Sequence, residues 1–145
     1  MPGGAITNKN GLAFEEMVQI KEQGRDITKN KMYTYLKEQG INWKDYISKK
    51  ILPDGVFIQD NKVRIYEKKF QSTSGSVDEK IQTAPFKLYE LKKLFAPLGI
   101  TDVTYTYILN DWFEDDKYRD VLEYIRNSPG CDYIIVKGEQ FNAIK

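Results

Sequence analysis

The chain changes its hydrophobic period sharply near residue 53, and that change restricts its possible folds more than any other feature. Upstream, apolar residues recur at helical spacing. Downstream, VFIQ at 56–59 and VRIYEKKF at 63–70 are β-branched and aromatic runs separated by the turn residues Asp60-Asn61. The pattern predicts a hairpin of two antiparallel strands, entered through the Pro53-Asp54-Gly55 turn.

The elements around the hairpin follow from the same periodicities. Residues 11–23 place Leu12, Phe14 and Val18, with Met17, on one side of a first helix closed by Gly24. A second helix from about 28 to 38 carries Met32, Tyr35 and Leu36 as its apolar stripe and stops at Gly40. A short helical piece at 43–47 leads into the hairpin. Beyond the polar loop QSTSGS, Val77, Ile81, Leu88, Leu91, Leu94 and Phe95 fall at helical spacing. Ser76 is expected as N-cap with Glu79 as its capping-box partner, and Pro85 interrupts the span. Residues 103–109 alternate as a strand, 115–127 form a helix burying Tyr118, Val121, Leu122 and Ile125, and 133–136 form a last strand. The expected order is α-α-β-β-α-β-α-β, in a single α/β domain spanning 1–145.

Composition excludes several chemistries. With no histidine, the chain has no imidazole base and no Ser-His or Cys-His nucleophile, so any catalysis rests on carboxylates, lysine, tyrosine or metal ions. The lone Cys131 rules out an internal disulfide and reads as strand packing. No apolar run reaches the roughly 18 residues of a membrane span, and the N-terminus lacks the apolar core of a signal peptide. An intracellular, cytoplasmic protein with no membrane partner is therefore expected. Residues 1–100 hold 17 Lys/Arg against 12 Asp/Glu, and residues 101–145 hold 5 against 9. The net charges of +5 and −4 permit a phosphate-binding side and an acidic C-terminal third.

The residues that carry chemistry gather on the hairpin. On an extended strand Glu67, Lys69 and Gln71 share one face, while Tyr66, Lys68 and Phe70 take the other. With the turn at Asp60-Asn61, antiparallel pairing brings Asp54 close to Glu67. Crowded carboxylates repel and hold protons or cations, which is what binding Mg²⁺ requires.

Pro53-Asp54-Gly55 followed by Glu67-Lys68-Lys69 resembles the PD-(D/E)XK nuclease superfamily, which has the restriction-endonuclease-like fold. Glu15 within GLAFEE matches the family's first-helix glutamate, and Gln71 resembles a position that is often polar there. The resemblance covers about residues 11–95. It implies a restriction-endonuclease-like core, with a mixed central β-sheet flanked by helices, and a DNA endonuclease that hydrolyses phosphodiester bonds to leave a 5′-phosphate. Asp54, Glu67 and Glu15 would hold Mg²⁺, with Mn²⁺ as a substitute. Lys69 would orient the attacking water or offset charge on the phosphorane, and Gln71 would position a phosphate or a water.

Each residue also has a plain structural reading: Asp54 as a turn residue, Glu67 and Lys69 as a solvated strand face, Glu15 as a helix-surface carboxylate. Taken jointly on one hairpin they favour the site. Lys80, Lys68 and Ser76 are candidate DNA contacts around the loop after the hairpin. Trp43, Tyr33 and Tyr35 fit the core better than base stacking. Three roles stay open: a restriction endonuclease working as a homodimer or with a recognition subunit, a Holliday-junction resolvase or repair nuclease of the same fold, and a catalytically silent DNA-binding or assembly module. A dimer interface on the helix around 118–125 is not separable from core at this level.

Overall fold

In the computed structural model, which describes residues 24–73 and 75–137, the predicted hairpin is the centre of a five-stranded sheet. Strand β2 (Gly55–Gln59) and strand β3 (Lys62–Lys69) pair antiparallel from Gly55↔Tyr66 to Gln59↔Lys62. The two-residue connection places Asp60 at φ 53°, a left-handed conformation that aspartate tolerates better than most residues. The expected first helix at 11–23, and Glu15 with it, lie outside the described residues.

One strand escaped the sequence reading. Arg25–Asp26 form β1, which pairs antiparallel with the outer edge of β2. Two residues carry no periodicity, so nothing local announces them. Gly24 just before it has φ +104°, and a Cβ there would lie 2.5 Å from the Ile58 carbonyl oxygen. The glycine lets the chain lie close against β2.

Helix α1 (Asn30–Glu38) begins two residues later than expected, after Lys29 at φ 58°. Its buried residues are Met32, Tyr33 and Leu36. Tyr35, assigned to the stripe from sequence, is half-buried beneath the Arg25 guanidinium, 5.3 Å from its ring centre. Tyr33 takes the core position because it lies three residues before Leu36 on the inward face. A 3₁₀ turn at Trp43–Asp45 follows.

The span after the hairpin splits where Pro85 predicts, into α2 (Val77–Ile81) and α3 (Ala84–Phe95), with the proline in the first turn of α3, where its missing N–H costs nothing. Ser76 precedes α2 but makes no side-chain capping bond, so the expected capping box does not form. Strand β4 (Asp102–Asn110) then runs parallel to β3, and β5 (Cys131–Val136) parallel to β4. Between them, 3₁₀ turns at Asp111–Glu114 and Asp116–Tyr118 lead into α4 (Arg119–Asn127), so the expected helix at 115–127 is α-helical only in its later part.

The sheet order is β1-β2-β3-β4-β5, an antiparallel meander joined to a parallel half. Val56, Val63, Ile65, Tyr105, Tyr107 and Cys131 on one sheet face join Leu36, Leu91 and Ile125 from the helices in the main core. The other face carries a smaller cluster of Ile108, Tyr66, Phe70 and Val136. This α/β architecture, a mixed sheet flanked by helices, puts the end of β3 beside the start of β2.

Candidate active site

Register alone brings the two carboxylates together. Gly55 pairs with Tyr66, so the next step sets Asp54 opposite Glu67, close enough for each carboxyl to shift the other's pKa. Asp54 is more than a turn residue. Its Oδ2 accepts the Lys68 N–H at 2.9 Å and its Oδ1 accepts the Lys29 Nζ at 3.3 Å. Lys29 makes that contact from a backbone conformation uncommon outside glycine, a strain of order 1–3 kcal/mol that clusters at functional sites.

Glu67 continues the inward face of β3 after Val63 and Ile65, and so lies at the border of the apolar core. Its Oε2 accepts the Tyr105 hydroxyl at 3.2 Å. Burial, then the Asp54 carboxylate, push its pKa up to about 8, against the fields of Lys69 and Lys87. Burial acts to raise Asp54 as well, but the bonds from Glu67, Lys68 N–H and Lys29, with the Lys29 charge, outweigh it and hold Asp54 below the usual carboxylate range. At neutral pH the pair therefore shares one proton, held on Glu67, with the charge on Asp54. Two carboxylate charges about 4 Å apart repel by roughly 4 kcal/mol at an effective dielectric near 20.

Lys69 lies on the same strand face and acts on Glu67, as its spacing predicts. Gln71 is buried, its Nε2 donates to the Thr73 carbonyl at 2.8 Å, and its backbone is clamped by Asn110. The Gln71 N–H donates to Asn110 Oδ1 at 3.0 Å, and Asn110 Nδ2 donates to the Gln71 carbonyl at 2.7 Å. Gln71 Oε1 has no hydrogen-bond partner among the described residues. Lys68 contributes its backbone N–H while its side chain takes the opposite sheet face. Lys80 and Ser76 are exposed at α2, and the cations that act on Glu67 are Lys69 and Lys87 instead.

Lys29, Lys87 and Tyr105 were not read from the sequence as site residues. Lys87 carries a usable signal: it stands three residues after Ala84 and four before Leu91, both buried on the inward face of α3. A lysine on an apolar stripe is unusual. Burial lowers its pKa, the Glu67 charge opposes that shift, and Lys69 adds to it. Tyr105 is held neutral well above its ordinary range by burial and by Glu67. Burial likewise pushes Tyr107 up to about 12, and its ring meets Tyr105 edge-on at 5.3 Å.

The donor set suits a hard divalent cation. Two carboxylates converge, one already depressed and the other holding a proton that a cation would displace. Among the described residues no cluster of three acidic, histidine or cysteine side chains is present, and Glu15 lies outside them. No family model matches the chain, and no curated protein matches it.

Proposed function

We propose that the chain is a Mg²⁺-dependent DNA endonuclease of the restriction-endonuclease-like class, hydrolysing phosphodiester bonds at Asp54, Glu67 and Lys69. The observation that carries this reading is the convergence of Asp54 and Glu67, set opposite each other by the hairpin register, with Lys69 and Lys87 acting on Glu67. The hairpin bearing the acids, followed by helices and a parallel strand, is also the order that reading requires.

Asp54 and Glu67 would hold the ion, with Glu15 as the further ligand expected from sequence and Mn²⁺ as the substitute. A divalent cation supplies Lewis-acid charge to a phosphate and lowers the pKa of water, which serves a protein without histidine. The chain's own groups do the rest. Lys69 and Lys87, whose charges already act on Glu67, would offset the negative charge that grows on a phosphate held there. Tyr105 fixes the Glu67 carboxyl through its hydroxyl, and Lys29 and the Lys68 N–H fix Asp54. The Asn110 clamp on Gln71 holds the chain where it leaves β3.

Supercoiled plasmid, linear duplex, a four-way junction and single-stranded DNA, each with Mg²⁺ or EDTA, test the activity and its substrate. Discrete plasmid bands support restriction, and preference for the junction supports a resolvase or repair nuclease. DNA binding with no cleavage of any substrate would contradict an enzyme that works by itself and favour a silent module or one that needs a partner subunit.

A further inference from the structure

An open groove that neither carboxylate lines lies between α1 and the 3₁₀ turn at Trp43–Asp45, with a volume of about 670 Å³. Its floor holds Tyr33 and Trp43, edge to face at 5.9 Å, and its walls carry Lys37 and Lys50 with no carboxylate. The Lys50 ammonium sits 4.9 Å from the Tyr33 ring centre and 5.7 Å from that of Trp43, and the Lys44 ammonium 5.8 Å from Trp43. Aromatic faces hold these cations, and among the described residues Lys37, Lys44 and Lys50 form no ion pair. Of the nearby acids, Glu38 is paired with Arg25, Glu90 acts on the Tyr33 hydroxyl, which is bonded to the Ile51 backbone, and Asp45 at the end of the 3₁₀ turn is exposed and does not line the groove.

The groove is tied to the carboxylate pair at one end. Asn30 lines it and directly follows Lys29, whose ammonium meets Asp54. Ile51, held by Tyr33, stands three residues before Asp54 on the strand approach. From Asn30 to Lys37 the helix rises roughly 10 Å, about three base steps at 3.4 Å per step along one strand.

We infer that this groove is a backbone track, in which Lys37 and Lys50 each neutralise one phosphate of the DNA strand leading to Asp54 and Glu67. The inference rests on the nuclease reading for its direction but is tested apart from it. Neutralising a phosphate releases condensed counterions, so each contact adds about 0.9 to the slope of log affinity against log salt for duplex DNA. The experiment measures that slope by fluorescence anisotropy with a labelled duplex in EDTA, for the wild type, for Lys37→Ala/Lys50→Ala, and for Lys117→Ala on the acidic C-terminal side. In parallel, hydrolysis of bis(p-nitrophenyl) phosphate with Mn²⁺ reads the carboxylate site without a DNA strand.

The double variant is expected to lose about 1.8 from the slope, to keep the wild-type melting temperature and to hydrolyse the small diester at the wild-type rate, while Lys117→Ala matches the wild type throughout. A slope unchanged in the double variant, or equally reduced in Lys117→Ala, overturns the track and leaves the nuclease reading standing. Failure of the wild type to hydrolyse the small diester, with the slope still reduced, counts against the nuclease and leaves a DNA-binding groove.

Discussion

Glu67 lies across the hairpin from Asp54, whose carboxylate pushes its pKa up, with Tyr105 closing on Glu67 from the neighbouring parallel strand at 3.2 Å. The arrangement costs stability, since it confines two acids and one proton at the edge of an apolar core. Acids held together against the repulsion between them are a recurrent trade of stability for function.

The cost has a definite pH signature. Glu67 titrates near its ordinary 4.5 when unfolded and near 8 when folded, so between those values the folded chain holds a proton that the unfolded chain has released. Stability contributed by this group is intact below about 4.5, falls as pH rises, and levels off above about 8. The depressed Asp54 acts with the opposite sign, in acid below its ordinary value. In EDTA, urea denaturation should show stability falling from pH 5 to pH 9. Glu67→Gln should flatten that dependence and, at pH 9, stabilise the protein by roughly 1–4 kcal/mol, the range met when buried charges are replaced by neutral groups.

Lys87 should matter to rate more than to folding. Lys87→Met keeps the stem on the apolar stripe of α3, and its Tm should stay within a few degrees of the wild type. Removing positive charge from the reacting centre should slow Mg²⁺-dependent cleavage by about 10²-fold. Losing a field that lowers the Glu67 pKa should also move the pH–rate profile toward alkali. A slow variant with an unmoved profile would place Lys87 outside the field of Glu67.

At Lys29 the usual order of substitutions should invert. Both Lys29→Ala and Lys29→Gly lose the ammonium that meets Asp54, and elsewhere glycine would be the less stable of the two. Here φ is 58°, so Lys29→Gly should be more stable than Lys29→Ala by about 1 kcal/mol or more in urea denaturation. Alanine proving the more stable would remove backbone strain from the account of how Asp54 is held.

The parts of this fold that were legible beforehand are those governed by local period. Strands at 56–59 and 63–70, the break at Pro85 and the alternation of 103–109 were all readable, and with them the shared face of Glu67 and Lys69. What escaped depends on partners far along the chain. Strand β1 pairs only with the edge that β2 offers, and the buried Gln71 has its backbone satisfied by Asn110, 39 residues away. Ser76 shows the reverse: a sound local capping signature yields to the geometry of a five-residue helix. Lys87 was legible in principle, as a charge on an apolar stripe, but its field on Glu67 depends on how the helix packs across the sheet.

Nicking of supercoiled plasmid by the wild type, Glu67→Gln and Lys69→Ala in Mg²⁺, with an EDTA control, tests the central claim most directly. The account predicts cutting by the wild type that EDTA abolishes and that each substitution reduces by at least about 10²-fold, with all three proteins folded. Cutting that persists in EDTA, or that survives both substitutions, would contradict it.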